Sequence, residues 1–254
     1  MRSTRSSQFE LPTYNLSPQK ITKFLLLAIG LLIFLNLGER AVVRWLNAIN
    51  DGEISSYYFN FDQESNFPTL YSALTLGFSS YLLSIISVIE KSRNARYAKH
   101  WQALSVIFLL LAIDEACSIH ESSIPLLRGA INAKGILYFT WVVPAFLLLI
   151  VFLIIFRKFI FSLPPKIKVL FIASGAVYVG GALGMELIGG YIADTYGYNI
   201  FYGIASSIEE ILEMLGIVIF IRGLLTYIQS QLTELHLSLS FQPSANCRGK
   251  NKLN

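Results

Sequence analysis

Residues 21–39 read ITKFLLLAIGLLIFLNLGE, with no charge between Lys23 and Glu39. A helix needs about 20 largely apolar residues to cross the hydrocarbon of a bilayer. An open strand there would leave its backbone groups unsatisfied in lipid. The stretch, placed at about 22–40, therefore reads as a transmembrane helix. The residues before it are polar up to Lys20 and show no cleavable signal pattern, so it is expected to stay as a span.

Five further segments qualify or come close, at about 67–89, 101–120, 137–156, 168–191 and 202–225. The third, fifth and sixth are interrupted by carboxylates. The distribution of Lys and Arg decides whether they count. Sixteen lie before span one, between two and three, between four and five, or at and beyond the end of six. Only Arg40, Arg44, Arg128 and Lys134 fall in the alternate connections. That alternation holds only with six spans, and the positive-inside rule then places both termini in the cytoplasm.

The expected fold is all-α: a polytopic membrane helical bundle of six transmembrane helices, N-in and C-in. Tails at 1–21 and 229–254 flank a membrane domain at 22–228. Composition agrees, since the 254 residues are 54% apolar and 14% charged, with mean hydropathy +0.56. Soluble domains carry about 25% charged residues. The net charge of +4 is topogenic, and no nucleic-acid motif accompanies it. Cys117 and Cys247 are too separated in the topology to suggest a disulfide framework. The loop at about 41–66 is the longest connection. It opens with AVVRWLNAIN, expected as an interfacial helix, and could alternatively form a lid.

Carboxylates inside spans are the informative feature. A charge at the bilayer centre costs about 2.5–3.5 kcal/mol on insertion scales. Asp114, Glu115, His120 and Glu121 end span three, Glu186 lies in GGALGMELIGG of span five, and Glu209, Glu210 and Glu213 lie in span six. With the predicted topology all three helices put their acids at one outward depth. At about 100° per residue, Asp114, Cys117 and Glu121 share a face. Ala176, Gly180 and Gly184 make a small-residue stripe for close helix packing. Crowded carboxylates in low dielectric must be protonated, paired or metal-bound. Arg40 and Arg44 are the available counter-ions.

Three functions follow from that cluster. The first is a metal-dependent membrane enzyme acting on a lipid or other hydrophobic substrate. Its ligands to a divalent zinc, iron or manganese would be His120, Glu121, Glu186 and Glu213, with Asp114 or Glu209 as general base. The second is a proton-coupled transporter using the same acids as a relay. The third is a non-catalytic membrane factor. The expected surroundings are the lipid bilayer of the plasma (inner) or another internal membrane. A hydrophobic small molecule and a second copy of the chain are further candidate partners; nucleic acid is not.

The stretches IDEACSIHE (113–121) and SIEEILEMLG (207–216), with their DEAxxxHE and EExLEMLG patterns, resemble a group of bacterial multi-span membrane proteins common in cyanobacteria. The resemblance covers spans three to six and implies no activity. There is a looser similarity of architecture to the membrane hydrolases of the alkaline ceramidase and adiponectin-receptor superfamily. That family implies seven spans and a late His-x-x-x-His pair, and this sequence has neither.

Overall fold

A computed structural model describes residues 17–50, 54–131 and 133–231. Among them the chain is helical, with no strand. The helices are α1 (Pro18–Asn50), α2 (Phe67–Ser92), α3 (Ala98–Cys117), α4 (Ile119–Ile131), α5 (Val142–Ser162), α6 (Pro165–Val179), α7 (Glu186–Tyr196) and α8 (Ile200–Gln231). A π-helical segment, Gly180–Met185, joins α6 to α7 into one long rod. Counting that rod once, six helices are long and apolar enough to cross a membrane. The expected tail beyond Gln231, and residues 1–16 of the other, lie outside the described residues.

The outer surface fits a lipid solvent. Phe24, Leu27, Leu74, Leu148 and Ile154 are all more than 60% exposed. A soluble monomer does not present an apolar belt of this extent to water. α8 is the central element, packing against α1, α2, α6, α7 and the π segment. Leu83 and Ile86 of α2 meet Ile221 and Leu224 of α8 in the core. At the end of the bundle remote from the acids, Trp101 packs among Phe159, Phe171 and Tyr227, with ring centroids 4.8–5.9 Å apart.

Three expectations change. AVVRWLNAIN does not form a separate interfacial helix; it continues α1 to Asn50. The chain has no Gly or Pro there to break the helix. Span three ends at Cys117, because Ser118 adopts the left-handed conformation at φ 53° and the chain restarts as α4. Finally, the stripe of Ala176, Gly180 and Gly184 is not the close-packed face. A Cβ built on Gly180 or Gly184 meets nothing within 4 Å, whereas one on Gly181 comes 2.8 Å from the Glu209 carbonyl oxygen. Gly181 continues the buried face of α6, which runs through Ile167, Phe171 and Ser174 at ordinary helical spacing, and the stripe lies off that face.

Candidate functional site

The site is assembled at the end of the bundle where α1 leaves the core and α3, α7 and α8 carry their acids. Its first organiser is Glu39 on α1. One carboxylate oxygen accepts the N–H groups of Tyr57 (2.9 Å) and Tyr58 (3.0 Å), and the other accepts that of Phe59 (2.7 Å). Asn36 donates to the Phe59 carbonyl at 2.7 Å. The loop is thereby fastened to α1 and carries Asp62 and Glu64 over the bundle. Neither acid was singled out from the sequence. Burial raises the pKa of both, for Asp62 against the opposing Tyr202 hydroxyl and Arg40 charge. Arg40, expected as a counter-ion to the span acids, donates to Asn60 Oδ1 at 2.7 Å and lies within electrostatic reach of the loop acid Asp62.

The left-handed turn at Ser118 gives Asp114 two tasks. One of its oxygens accepts the His120 backbone N–H at 3.0 Å, capping α4, and the other faces His120 Nδ1 at 3.0 Å. His120 Nε2 lies 3.3 Å from a Glu64 oxygen. The imidazole rests against Trp141, centroids 4.8 Å apart. Burial opposes a charge on His120. The hydrogen bond and charge of Asp114, helped by Glu64 and Glu115, outweigh it and raise the imidazolium to about 9.

This shift has a measurable consequence. The folded chain keeps a proton that the unfolded chain releases between the ordinary value of 6.5 and about 9. The associated stabilisation is complete below the lower value and is lost as pH rises through the upper one. Thermal stability of the solubilised protein is expected to fall across that window, and His120→Gln to flatten the fall. An unchanged slope in the variant would rule out His120 as its source.

Trp141 donates its indole N–H to Glu186 at 2.6 Å. Glu186 is in turn hydrogen-bonded to Glu209 of α8. A chain of contacts therefore runs Glu64, His120, Trp141, Glu186, Glu209, crossing from the loop through the bundle to α8. A second arm holds Glu213 with the Tyr178 hydroxyl, and Glu115 and Glu210 lie within its electrostatic reach. Tyr178 carried no sequence signal beyond its place in an apolar span.

Of the expected site residues, Asp114 meets His120 directly, and Glu186 meets Glu209. Glu213 belongs to the second arm. Glu121 lies instead on the wall of an open cavity of about 530 Å³, with Asp62, Arg128, Phe139, Tyr198 and Tyr202. The break at Ser118 takes it off the face it would share with Asp114 on a continuous helix. Cys117 is exposed. Among the described residues no group of three or more His, Cys, Asp and Glu is arranged to hold a metal. Both His120 nitrogens face carboxylates, Nδ1 that of Asp114 and Nε2 that of Glu64.

The family model for a domain of unknown function, DUF8692, matches residues 24–228. The chain belongs to that family, and the match takes in all six long helices and both acidic stretches. Neither a curated protein nor a solved structure matches the chain.

Proposed function

We propose that this is a proton-coupled transporter of the plasma (inner) membrane, inserted with both termini in the cytoplasm so that the acid cluster faces outward. The observation that carries the reading is the side-by-side placement of the Glu186 and Glu209 carboxyls, one on α7 and one on α8, close enough to share a proton. Two carboxyl groups bond to each other only when one holds a proton. In low dielectric two adjacent carboxylates cannot both remain ionised and unpaired. A shared proton that must leave before both groups ionise is a usable coupling element.

Two features support it. Glu186 directly follows the π segment, and transporters place their coupling groups beside interrupted helices. The contact chain that ends on this pair starts beside the open cavity, whose wall includes Gln63 and Glu121, the sequence neighbours of Glu64 and His120.

The test is reconstitution in liposomes with an internal pH-sensitive dye and an imposed pH gradient. The wild type is expected to collapse the gradient at least about tenfold faster than Glu186→Gln or Glu209→Gln; one lost charge-assisted hydrogen bond suffices for that factor. Equal rates in all three would end the proposal.

One observation favours a second reading, the metal-dependent enzyme. Asp114 on Nδ1 orients the His120 ring with Nε2 toward Glu64, the arrangement that commonly supports a metal-bound histidine once a metal displaces the Nε2 proton. In that reading Glu64 joins His120 as a ligand, with Glu121, Glu186 and Glu213 as further oxygen donors. The metal would polarise the bond to be cleaved in a lipid. Elemental analysis of wild type beside His120→Ala/Glu213→Ala tests it: stoichiometric zinc, iron or manganese lost in the variant supports it, and none in the wild type after reconstitution rejects it.

A further inference from the structure

Glu121, Ile124, Pro125 and Arg128 lie at positions i, i+3, i+4 and i+7 of α4 and together form one wall of the open cavity. The two charges on that wall are opposite but cannot meet. Helical ion pairs form at i+3 or i+4, and seven residues at 1.5 Å each put these two about 10 Å apart along the axis. Neither Glu121 nor Arg128 makes an ion pair with a described residue.

Arg128 is nevertheless held in place. Arg128 donates Nε to the Tyr138 carbonyl at 3.0 Å, and its guanidinium lies 3.7 Å from the centre of the Tyr138 ring. That bond uses one N–H and leaves the terminal nitrogens for an oxyanion. At the other end, Pro125 has no N–H to give the Glu121 carbonyl, so this acceptor lacks its helical donor beside the Glu121 carboxylate. Asp62, across the cavity, is engaged by the Tyr202 hydroxyl and the Arg40 charge, though burial still raises its pKa. Phe139, Tyr198 and Tyr202 supply aromatic surface between.

We propose that this cavity binds a zwitterion carrying an ammonium and a phosphate, the ammonium at the Glu121 carboxylate and carbonyl and the phosphate at Arg128. The spacing asks for a ligand with its two charges separated by a short linker, which an aminoalkyl phosphate diester has. Free solute and lipid headgroup share this chemistry. The inference names the solute class of the transport reading and rests on that reading for its role.

The test is binding to the full chain, with two probes: glycerophosphoethanolamine added to protein in a non-ionic detergent, and nanodiscs of anionic lipid with or without phosphatidylethanolamine. Saturable binding of the free probe, weakened at least about tenfold in both Glu121→Gln and Arg128→Gln, supports the site and a soluble ligand. Binding seen only with the lipid, with the same losses, supports it with a headgroup as occupant. Should Arg128→Gln fail to fold for want of the Tyr138 contact, Glu121→Gln decides alone, since that side chain is exposed and forms no ion pair. No saturable binding of either probe, or binding that Glu121→Gln leaves intact, overturns the site. Proton flux on the same wild-type preparation separates the two claims: binding without flux removes the transport reading and keeps the site, and flux without binding does the reverse.

Discussion

Gly216→Ala is expected to destabilise the protein by about 1–3 kcal/mol, or more, although it adds one methyl group. A Cβ at Gly216 would lie 2.7 Å from Tyr178 Cβ, 2.8 Å from its backbone nitrogen and 2.9 Å from its Cα. None of these atoms ends a flexible side chain. α8 must therefore move away from α6, and in lipid that loss is hard to recover. Close packing is a principal driving force between membrane helices, because lipid tails are as apolar as the side chains they would replace. The shift also separates Tyr178 from Glu213, its hydrogen-bond partner three residues before Gly216. The matched control is Gly175→Ala on α6, where a Cβ meets nothing within 4 Å. Ala there is expected to be neutral or stabilising by up to about 1 kcal/mol, because mid-helix glycine is entropically costly. Thermal unfolding in detergent reads both. Equal midpoints for the two variants would show that the α6–α8 approach is looser than described.

The opposite signs of those two glycines mark the limit of what a helical wheel conveys. Hydropathy and the Lys/Arg alternation made six spans readable, because both depend on composition over about 20 residues and tolerate small errors of phase. The acid-bearing helices were readable for the same reason, since a carboxylate is conspicuous within an apolar span. What a wheel misplaces depends on phase. The left-handed turn at Ser118 detaches Glu121 from Asp114, and small-residue spacing alone picks Gly180 and Gly184 where the buried face of α6 carries on to Gly181. Asp62 and Glu64 escaped notice for a different reason. They sit in a polar loop where an acid costs nothing, and only the fastening of that loop to α1 carries them over the bundle. The indole N–H of Trp141 needed a partner that only the tertiary fold reveals.

That fastening makes Glu39 the second position of large expected effect. Its carboxylate accepts three consecutive backbone N–H groups, from residues 57–59. Glu39→Gln keeps the shape but replaces one accepting oxygen by an NH₂ that must face a donor. At least one loop N–H then loses its partner, and a donor faces a donor. Hydrogen bonds to a charged group are worth about 1.5–3 kcal/mol each, so the loop's local stability is expected to drop by about that amount. The loss stays local, because the loop packs on the core through little beyond Phe59 and Phe61. Hydrogen exchange at residues 57–59 should accelerate by about ten- to a hundredfold, while exchange in α8 stays unchanged. The effect then reaches the site. Once the loop opens, Glu64 leaves His120 Nε2 and Asp62 leaves Tyr202, so the imidazolium loses one of its two carboxylates and its pKa falls. The descending limb of stability between pH 6.5 and about 9 should therefore move to lower pH in Glu39→Gln. Faster exchange with an unmoved limb would mean that Asp114 alone holds the His120 proton and that Glu64 contributes little.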